Sequence, residues 1–393
     1  MSAIPRFSRR GRWAVPAGVV AVVAAVATIS AITVAQAAPR LPARTPAELL
    51  AAVAGDNSAP PQLTGTVVET ASLGVPQLPG DQSPTSMTSL LAGSHTLKVW
   101  YGGPARLRLA APVQLGESDF ILNGHTAWLW QSNTDSVTHF LLPAQRGEER
   151  KPMRPKTPLT PQEAARQALA QVGPSTRVTT ESNVTVAGQP AYQLVLAPKS
   201  SQSLIGKVTI ALDAQHLTVP LRVQVFARGA STPAFQIGYT SISFVAPAAA
   251  NFSYTPPPGA HVHTEIAGAG WYGYAPLSGQ AMKPTHPQAQ VIGKNWLQVA
   301  VLPASALSQL TGQGNAASVA GQAARSASGG GGSVSGQAVF GALLGSAHPV
   351  HGAWGSGRLL HTTLVSILIT STGHVLVGAV TPAVLYAAAA HVK

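Results

Sequence analysis

Histidines at two places in the sequence have the spacing that metal chemistry would need. His261, His263 and Glu265 alternate in the segment HVHTE, so a strand would place all three on one face. Two imidazoles and a carboxylate are a ligand set for a transition metal, but alternating polar residues are also typical of the solvent face of an edge strand. His348 and His351 have no acidic neighbour, because all 13 Asp and Glu residues lie at or before Glu265. The solvent-face interpretation is favoured, and we expect neither a metal nor another cofactor.

Residues 268–273 form the best match to a nucleotide-binding motif, since GAGWYG fits the dinucleotide pattern G-x-G-x-x-G. That pattern binds a pyrophosphate when a strand precedes it, a helix follows it and an acid lies about 20 residues downstream. Here Pro276 follows and no acid lies downstream, so a glycine-rich linker is predicted instead. The chain has no Cys and no G-x-S-x-G segment. We therefore expect a non-enzymatic protein; a hydrolase stays open as an interpretation for which no residue argues.

The first 37 residues are typical of an export signal. Four arginines between Arg6 and Arg12 precede an uncharged apolar stretch, 14–34, and then the cleavage-like sequence Ala35-Gln36-Ala37. The apolar stretch is long enough that residues 1–37 are either a cleaved signal peptide or an N-terminal membrane anchor. Either outcome makes the protein extracytoplasmic, secreted or anchored to the outer face of the cytoplasmic membrane.

Composition limits the partners. The 393 residues have room for about two domains, and a hydrophobic content of 45% argues against wholesale disorder. The net charge is +12 although only 10% of residues are charged. The densest basic run, 146–156, also contains Glu148 and Glu149, and nucleic acid is not expected outside the cell. Anionic lipid head groups or the membrane surface are favoured over nucleic acid, with a solvated loop as the simpler alternative.

Alternating apolar residues predict a series of short strands. Capping boxes at Thr45 and Thr160 predict helices over 47–53 and from 161 to about 172. Connections are too short for crossover helices, so antiparallel pairing is favoured. The expected fold is mainly β (α+β), a curved antiparallel sheet or incomplete β-barrel capped by the helices; a packed sandwich fits the pattern nearly as well. The predicted strands are 63–70, 95–101, 106–109, 119–122, 127–131, 137–142, 177–186, 191–197, 207–213, 221–227 and 235–245.

The remainder of the chain is expected to form a small α+β module. The first domain spans 43–265, and residues 266–289 are a Gly/Pro linker. Residues 290–393 are the C-terminal module, with a disordered Ala/Gly/Ser insert at 304–357. Its predicted strands are 296–302, 359–370 and 374–381, followed by a helix over 383–391.

One face of the curved sheet is a candidate binding surface for acyl chains. A cavity lined by aromatic and aliphatic side chains binds hydrocarbon without polar recognition, because each buried CH₂ contributes about 0.8 kcal/mol. The alternative is that these side chains simply fill the core. The candidate lining residues are Trp100, Leu109, Phe120, Leu122, Trp128, Trp130 and Phe140.

Several segments of the first domain carry a family resemblance. They are GSHTLKVWYGGP (93–104), NGHTAWLW (123–130), VAGQPAYQL (186–194) and FSYTPPPGA (252–260). Together with the order of the parts, they make residues 43–265 similar to actinobacterial LolA-like outer-membrane-lipoprotein-sorting proteins. The tail segments VIGKNW (291–296) and GHVLVGAVT (373–381) resemble the tail of the same proteins.

The resemblance implies an open half-barrel, closed by helices around a hydrophobic cavity. That scaffold is shared by lipoprotein carriers, lipid-carrying mycobacterial lipoproteins and RseB-type regulators. The implied function is a non-catalytic carrier or chaperone for lipid acyl chains or a lipidated protein, associated with the membrane. The alternative is an RseB-like regulator that binds a membrane-bound anti-sigma factor and senses the lipid or lipoprotein state of the envelope.

Overall fold

The computed structural model describes residues 39–55, 60–74, 92–113, 116–142, 160–266, 290–303 and 345–392. From Arg40 onward they belong to one compact unit. The expected export signal, the basic run 146–156 and the glycine motif 268–273 lie outside the described residues. In the described ranges, no helix combines the length and the apolar character needed to cross a membrane.

A single large sheet contains twelve strands. Their bounds are β1 (Leu63–Ser72), β2 (Ala92–Gly103), β3 (Arg106–Val113), β4 (Gly116–Asn123), β5 (Thr126–Gln131), β6 (Ser136–Leu141), β7 (Thr176–Val186), β8 (Gln189–Pro198), β9 (Ile205–Asp213), β10 (Pro220–Ala227), β11 (Pro233–Ser243) and β12 (His261–Ile266). The spatial order is β12-β6-β5-β4-β3-β2-β1-β11-β10-β9-β8-β7. The prediction of a mainly β protein built on one extended sheet is confirmed, and the sandwich alternative is wrong.

Short hairpins build most of this sheet, as the turn residues predict. The Asn123–Gly124 turn joins β4 to β5, and Gly124 has a φ of +60°, which an Asn-Gly turn favours. One pair departs from the expected antiparallel pattern, because β12 lies parallel to β6. The reason is the connection 244–260, which is long enough to carry the chain back across the sheet. It contains a 3₁₀ helix, Ala249–Phe252, that contacts β3 and β4.

Two short helices, α1 (Pro46–Gly55) and α2 (Pro161–Leu169), lie against one face of the sheet. The predicted capping box is present at α1: the Thr45 amide donates to Glu48 Oε2 at 2.7 Å, and the Glu48 amide donates to Thr45 Oγ1 at 3.2 Å. Helix α1 contacts β7, and α2 contacts β10 and β11. Strand β7 also contacts β11, although three strands lie between them in the sheet, so this end of the sheet is strongly curved. Strands β12 and β7 are the two edges in the described part of the chain, and the barrel is not closed.

The C-terminal module is a second sheet with one helix packed on it. Its elements are β13 (Gln290–Ile292), β14 (Val299–Pro303), β15 (His348–Gly352), β16 (Gly355–His361), β17 (Ser366–Thr370), β18 (His374–Gly378) and α3 (Pro382–Ala389). The order of the strands in the sheet is β13-β14-β18-β17-β16-β15, and α3 contacts β17 and β18.

Three expectations for this module are corrected. The predicted strand 359–370 is two strands, because Thr362 closes a turn in which its Oγ1 accepts from the Val365 amide at 3.1 Å. The predicted strand 296–302 begins as a 3₁₀ helix, Asn295–Leu297. Within the expected disordered insert, 304–357, strand β15 is ordered because it pairs with β16.

Several contacts attach the module to the first domain, and two of them involve the core of the large sheet and the end of β1. The Trp296 indole N–H donates to Thr176 Oγ1 at 2.7 Å, and Trp296 belongs to the core of the large sheet. At a separate point, the Thr363 amide donates to the Leu73 carbonyl at 3.0 Å, and Leu364 packs beside Leu73. Both contacts are absent from any pattern in the sequence, because they join residues far apart along the chain.

Candidate functional site

The face of the large sheet that meets α1 and α2 is called the inner face here, and the opposite one the outer face. Strand register assigns side chains to them, since directly paired residues point the same way. Every strand from β1 to β11 contributes to one apolar cluster that also includes Leu49 of α1 and Ala164 and Ala165 of α2. This cluster defines the inner face as the core of the protein.

Four of the seven residues predicted to line a cavity lie on the inner face. Leu109 pairs with Phe120, and Ala127 pairs with both Leu122 and Phe140. All four predicted residues are buried in the common cluster. Their positions suit an apolar binding surface, and whether they contact a ligand stays a prediction.

The other three predicted residues, the tryptophans, lie on the outer face. Trp100 pairs with Arg108, whose guanidinium carbon stands 5.1 Å from the Trp100 ring centre. Arg108 also forms an ion pair with the buried Asp119, with its Nε donating to Oδ1 at 3.1 Å. Trp130 pairs with Asp119. The seven predicted residues therefore do not form one site, because Trp128 and Trp130 alternate with the inner-face residues of β5.

A packed aromatic cluster covers part of the outer face. Trp128 stacks on His139 with ring centres 3.8 Å apart, and Tyr254 lies 5.5 Å from Trp128. Burial, and secondarily the charge of Asp119, raises the pKa of Tyr254 to about 12. Next to it, Phe252 is 2% exposed and packs so closely on Gly102 that a Cβ there would stand 2.9 Å from the Phe252 ring. The connection 244–260 thus turns an outer surface into a small second core.

A polar ladder crosses another part of the outer face. Thr209 Oγ1 donates to Gln224 Oε1 at 3.1 Å, and Gln224 Nε2 donates to Gln236 Oε1 at 2.6 Å. This ladder crosses β9, β10 and β11 on the side opposite the apolar cluster. The contrast between the two faces leaves the inner face as the candidate site for an apolar ligand.

Sequence patterns overlooked three inner-face residues. Ala127 and Leu129 are completely or almost completely buried there. The prediction selected the tryptophans next to them in the sequence, whose side chains point to the opposite face of β5. The third is Glu69 on β1, which is only 7% exposed. Period-two alternation with Val67 and Ala71 was the signal that could have found it.

Glu69 is an acid that lies among buried apolar residues of the inner face. It pairs with Ile237 on β11 and with His95 on β2. Burial raises the pKa of the Glu69 carboxyl from its usual 4.5 to about 7. The neighbouring Tyr239, by contrast, has a partner on α2: Gln162 Nε2 donates to its hydroxyl at 3.1 Å.

The histidines that suggested a metal lie on the exposed edge strand β12. As predicted, His261, His263 and Glu265 share one face, and His263 Nε2 lies 3.5 Å from Glu265 Oε1. Among the described residues, no group of three or more His, Asp or Glu side chains could hold a metal ion.

No protein-family profile matches this sequence. No curated protein matches it either. Among solved structures, the chain is similar to the MucA/MucB complex of Pseudomonas aeruginosa, with 13% identity over 88% of this chain and 96% of that chain and a TM-score of 0.39. A LolA superfamily protein from Nitrosomonas europaea is 11% identical over 54% of this chain and 99% of that chain, with a TM-score of 0.20. A lipoprotein-sorting domain from Vibrio parahaemolyticus, putative by its description, matches 47% of this chain and 85% of its own length at 11% identity and a TM-score of 0.16. At these identities the likeness concerns the fold alone.

Proposed function

We propose that this protein is an extracytoplasmic, non-catalytic carrier or chaperone that binds lipid acyl chains or a lipidated protein on its inner face. The observation that carries the proposal is the continuous apolar inner face of an open sheet. Hydrocarbon that replaces water or a loosely held side chain there is stabilised by about 0.8 kcal/mol per CH₂. The resemblance in sequence supports the same function.

Helices α1 and α2 cover the inner face in a way that would allow a ligand to bind and leave reversibly. Strands hold one another by ladders of hydrogen bonds, whereas α1 and α2 meet the sheet mainly through side chains. Helix α2 is tied to the inner face by the hydrogen bond between Gln162 and Tyr239. Moving a helix exposes apolar surface to a ligand without breaking the sheet, so we propose that α1 and α2 are displaced when a ligand enters.

Native mass spectrometry after gentle extraction tests this proposal, together with titration by a fluorescent fatty acid. We expect bound lipid and saturable probe binding. Leu107→Trp fills a half-buried inner-face position and is expected to weaken probe binding about tenfold. The matched control is Lys98→Trp, an exposed outer-face position, which should bind as the unmodified chain does. A homogeneously empty protein that ignores the probe would contradict the proposal.

A second candidate function, a regulator that binds a membrane-bound anti-sigma factor, is favoured by the exposed edge strand β12. Val262 and Ile266 are 51% and 77% exposed there. An edge strand with exposed apolar side chains can accept an extended segment of a partner as an added strand. The test is a pull-down of a single-span partner, combined with altered envelope signalling on deletion. Val262→Asp should abolish capture and Val245→Asp, at a site 73% exposed outside β12, should not.

A further inference from the structure

The buried carboxylates of this protein differ in one respect that points to a ligand. Asp119 is paired with Arg108. Asp213 accepts hydrogen bonds from the backbone amides of Gln215 and His216, at 3.0 and 2.6 Å. Glu69 is 7% exposed and makes no hydrogen bond or ion pair with any residue that the structure describes. Buried charges are normally paired, so Glu69 is the exception that calls for a partner from outside the chain.

The surroundings of Glu69 are those of an apolar site. Along β1, Val67 and Ala71 are 1% and 5% exposed on the same face, and Ile237 across the strand pair is 1% exposed. His95 faces Glu69 from β2. A carboxylate in such a place weakens the core that surrounds it, because burial disfavours its charged form and raises its pKa to about 7.

Glu69 also lies towards one end of the inner face. Leu73, the residue that follows β1 and lies four positions after Glu69, packs against Leu364 of the C-terminal module, and the Leu73 carbonyl accepts from the Thr363 amide. The module therefore covers the end of β1 near Glu69. An amphiphile with its chain on the long apolar part of the face would bring its polar end to this region.

We propose that Glu69 is the polar contact of the inner-face site, and that it selects amphiphiles whose head group carries a hydrogen-bond donor, an ammonium group above all, over those that end in a carboxylate. This inference rests on the proposed function, because it assumes that hydrocarbon occupies the inner face. An ammonium supplies three donors and a positive charge to an acid that has no partner among the described residues. A carboxylate head group in the same place would set two negative charges against each other in an apolar environment.

The experiment compares dodecylamine with dodecanoate as competitors of one fluorescent acyl probe, on the full chain at a pH of about 8, where Glu69 is ionised. The unmodified protein should prefer the amine by about tenfold or more. Glu69→Gln should bring the two affinities close together, whereas Glu69→Asp should keep the preference. Glu181→Gln is the matched control, because Glu181 is an outer, exposed acid paired with Lys207.

The outcomes separate this inference from the proposed function. If the preference for dodecylamine over dodecanoate is the same in the unmodified chain and in Glu69→Gln, and both proteins bind the probe, Glu69 does not select the head group. Lipid binding then still stands. Failure of every variant and of the unmodified chain to bind any amphiphile overturns both. If near-UV circular dichroism shows that Glu69→Gln does not fold, Glu69→Ala takes its place after the same check of folding. Loss of the preference for the amine in Glu69→Ala then supports the role of Glu69, and an unchanged preference overturns it.

Discussion

Replacing Glu69 by Gln removes an ionisable group from the core while keeping the shape of the side chain. In the folded protein, burial raises the pKa of Glu69 to about 7, and in the unfolded chain it returns to about 4.5. The folded state therefore holds more protons than the unfolded state between these two values. The contribution of Glu69 to the free energy of unfolding is therefore highest at low pH, where Glu69 is protonated in both states. It falls as the pH rises from the pKa of the unfolded state through the pKa of the folded state.

The size of this loss follows from the two pKa values. Between about pH 5 and about pH 8, linkage gives a decrease of roughly 2–3 kcal/mol in the free energy of unfolding that is due to Glu69 alone. Gln does not ionise, so the stability of Glu69→Gln relative to the unmodified chain should grow by roughly 2–3 kcal/mol over this range. His95, which faces Glu69 from β2, and the other ionisable groups are present in both proteins, so the comparison isolates the change at position 69 to first order.

Urea unfolding followed by tryptophan fluorescence, at both pH values and for both proteins, measures this difference. Glu181→Gln is the control: hydrogen bonding from Lys207 lowers the pKa of the exposed Glu181, so removing that acid should not produce a gain that grows with pH. A difference between Glu69→Gln and the unmodified chain that stays constant from about pH 5 to about pH 8 would refute the account of Glu69 as an unpaired buried acid.

Three further predictions concern the packing. Phe252→Ala should lower the free energy of unfolding by about 3–5 kcal/mol, because it empties the second core on the outer face, while Val245→Ala, at an exposed site, should leave it within about 0.5 kcal/mol; thermal unfolding checks both. Trp296→Phe should cost about 1–3 kcal/mol, since the hydrogen bond that the indole N–H donates to Thr176 Oγ1 at 2.7 Å is lost, and limited proteolysis should then cut the C-terminal module faster. Gly65→Ala should cost about 1–3 kcal/mol in urea unfolding, because its Cβ would stand 2.7 Å from a backbone carbonyl oxygen and an aromatic ring of β11. A Gly65→Ala protein as stable as the unmodified chain would mean that β1 and β11 can separate more easily than their register suggests.

Much of the local structure follows from the order of residues. Alternation of apolar residues predicts the strands of the large sheet, and the Asn123–Gly124 pair predicts the hairpin between β4 and β5. The capping box at Thr45 predicts the start of α1. These features depend on neighbours within a few residues, so the sequence alone contains the information.

The assignment of faces is different. On β5, Trp128 and Trp130 alternate with Ala127 and Leu129, and both sets are apolar enough to form a core. The large aromatic residues were expected on the inner face, yet the small Ala127 and Leu129 occupy it. Segment 244–260 decides the outcome, because Phe252 and Tyr254 cover the outer face and give the tryptophans an apolar environment of their own.

By itself, the sequence determined that this chain forms a mainly β protein, with two capped helices beside the sheet and no cysteine chemistry. Only the tertiary structure decided that β12 runs parallel to β6, that β15 belongs to the small sheet, and that Glu69 is buried on the inner face. The physical reason is that period-two alternation divides each strand into two sides, whereas the choice of the buried side depends on segments that arrive from far along the chain.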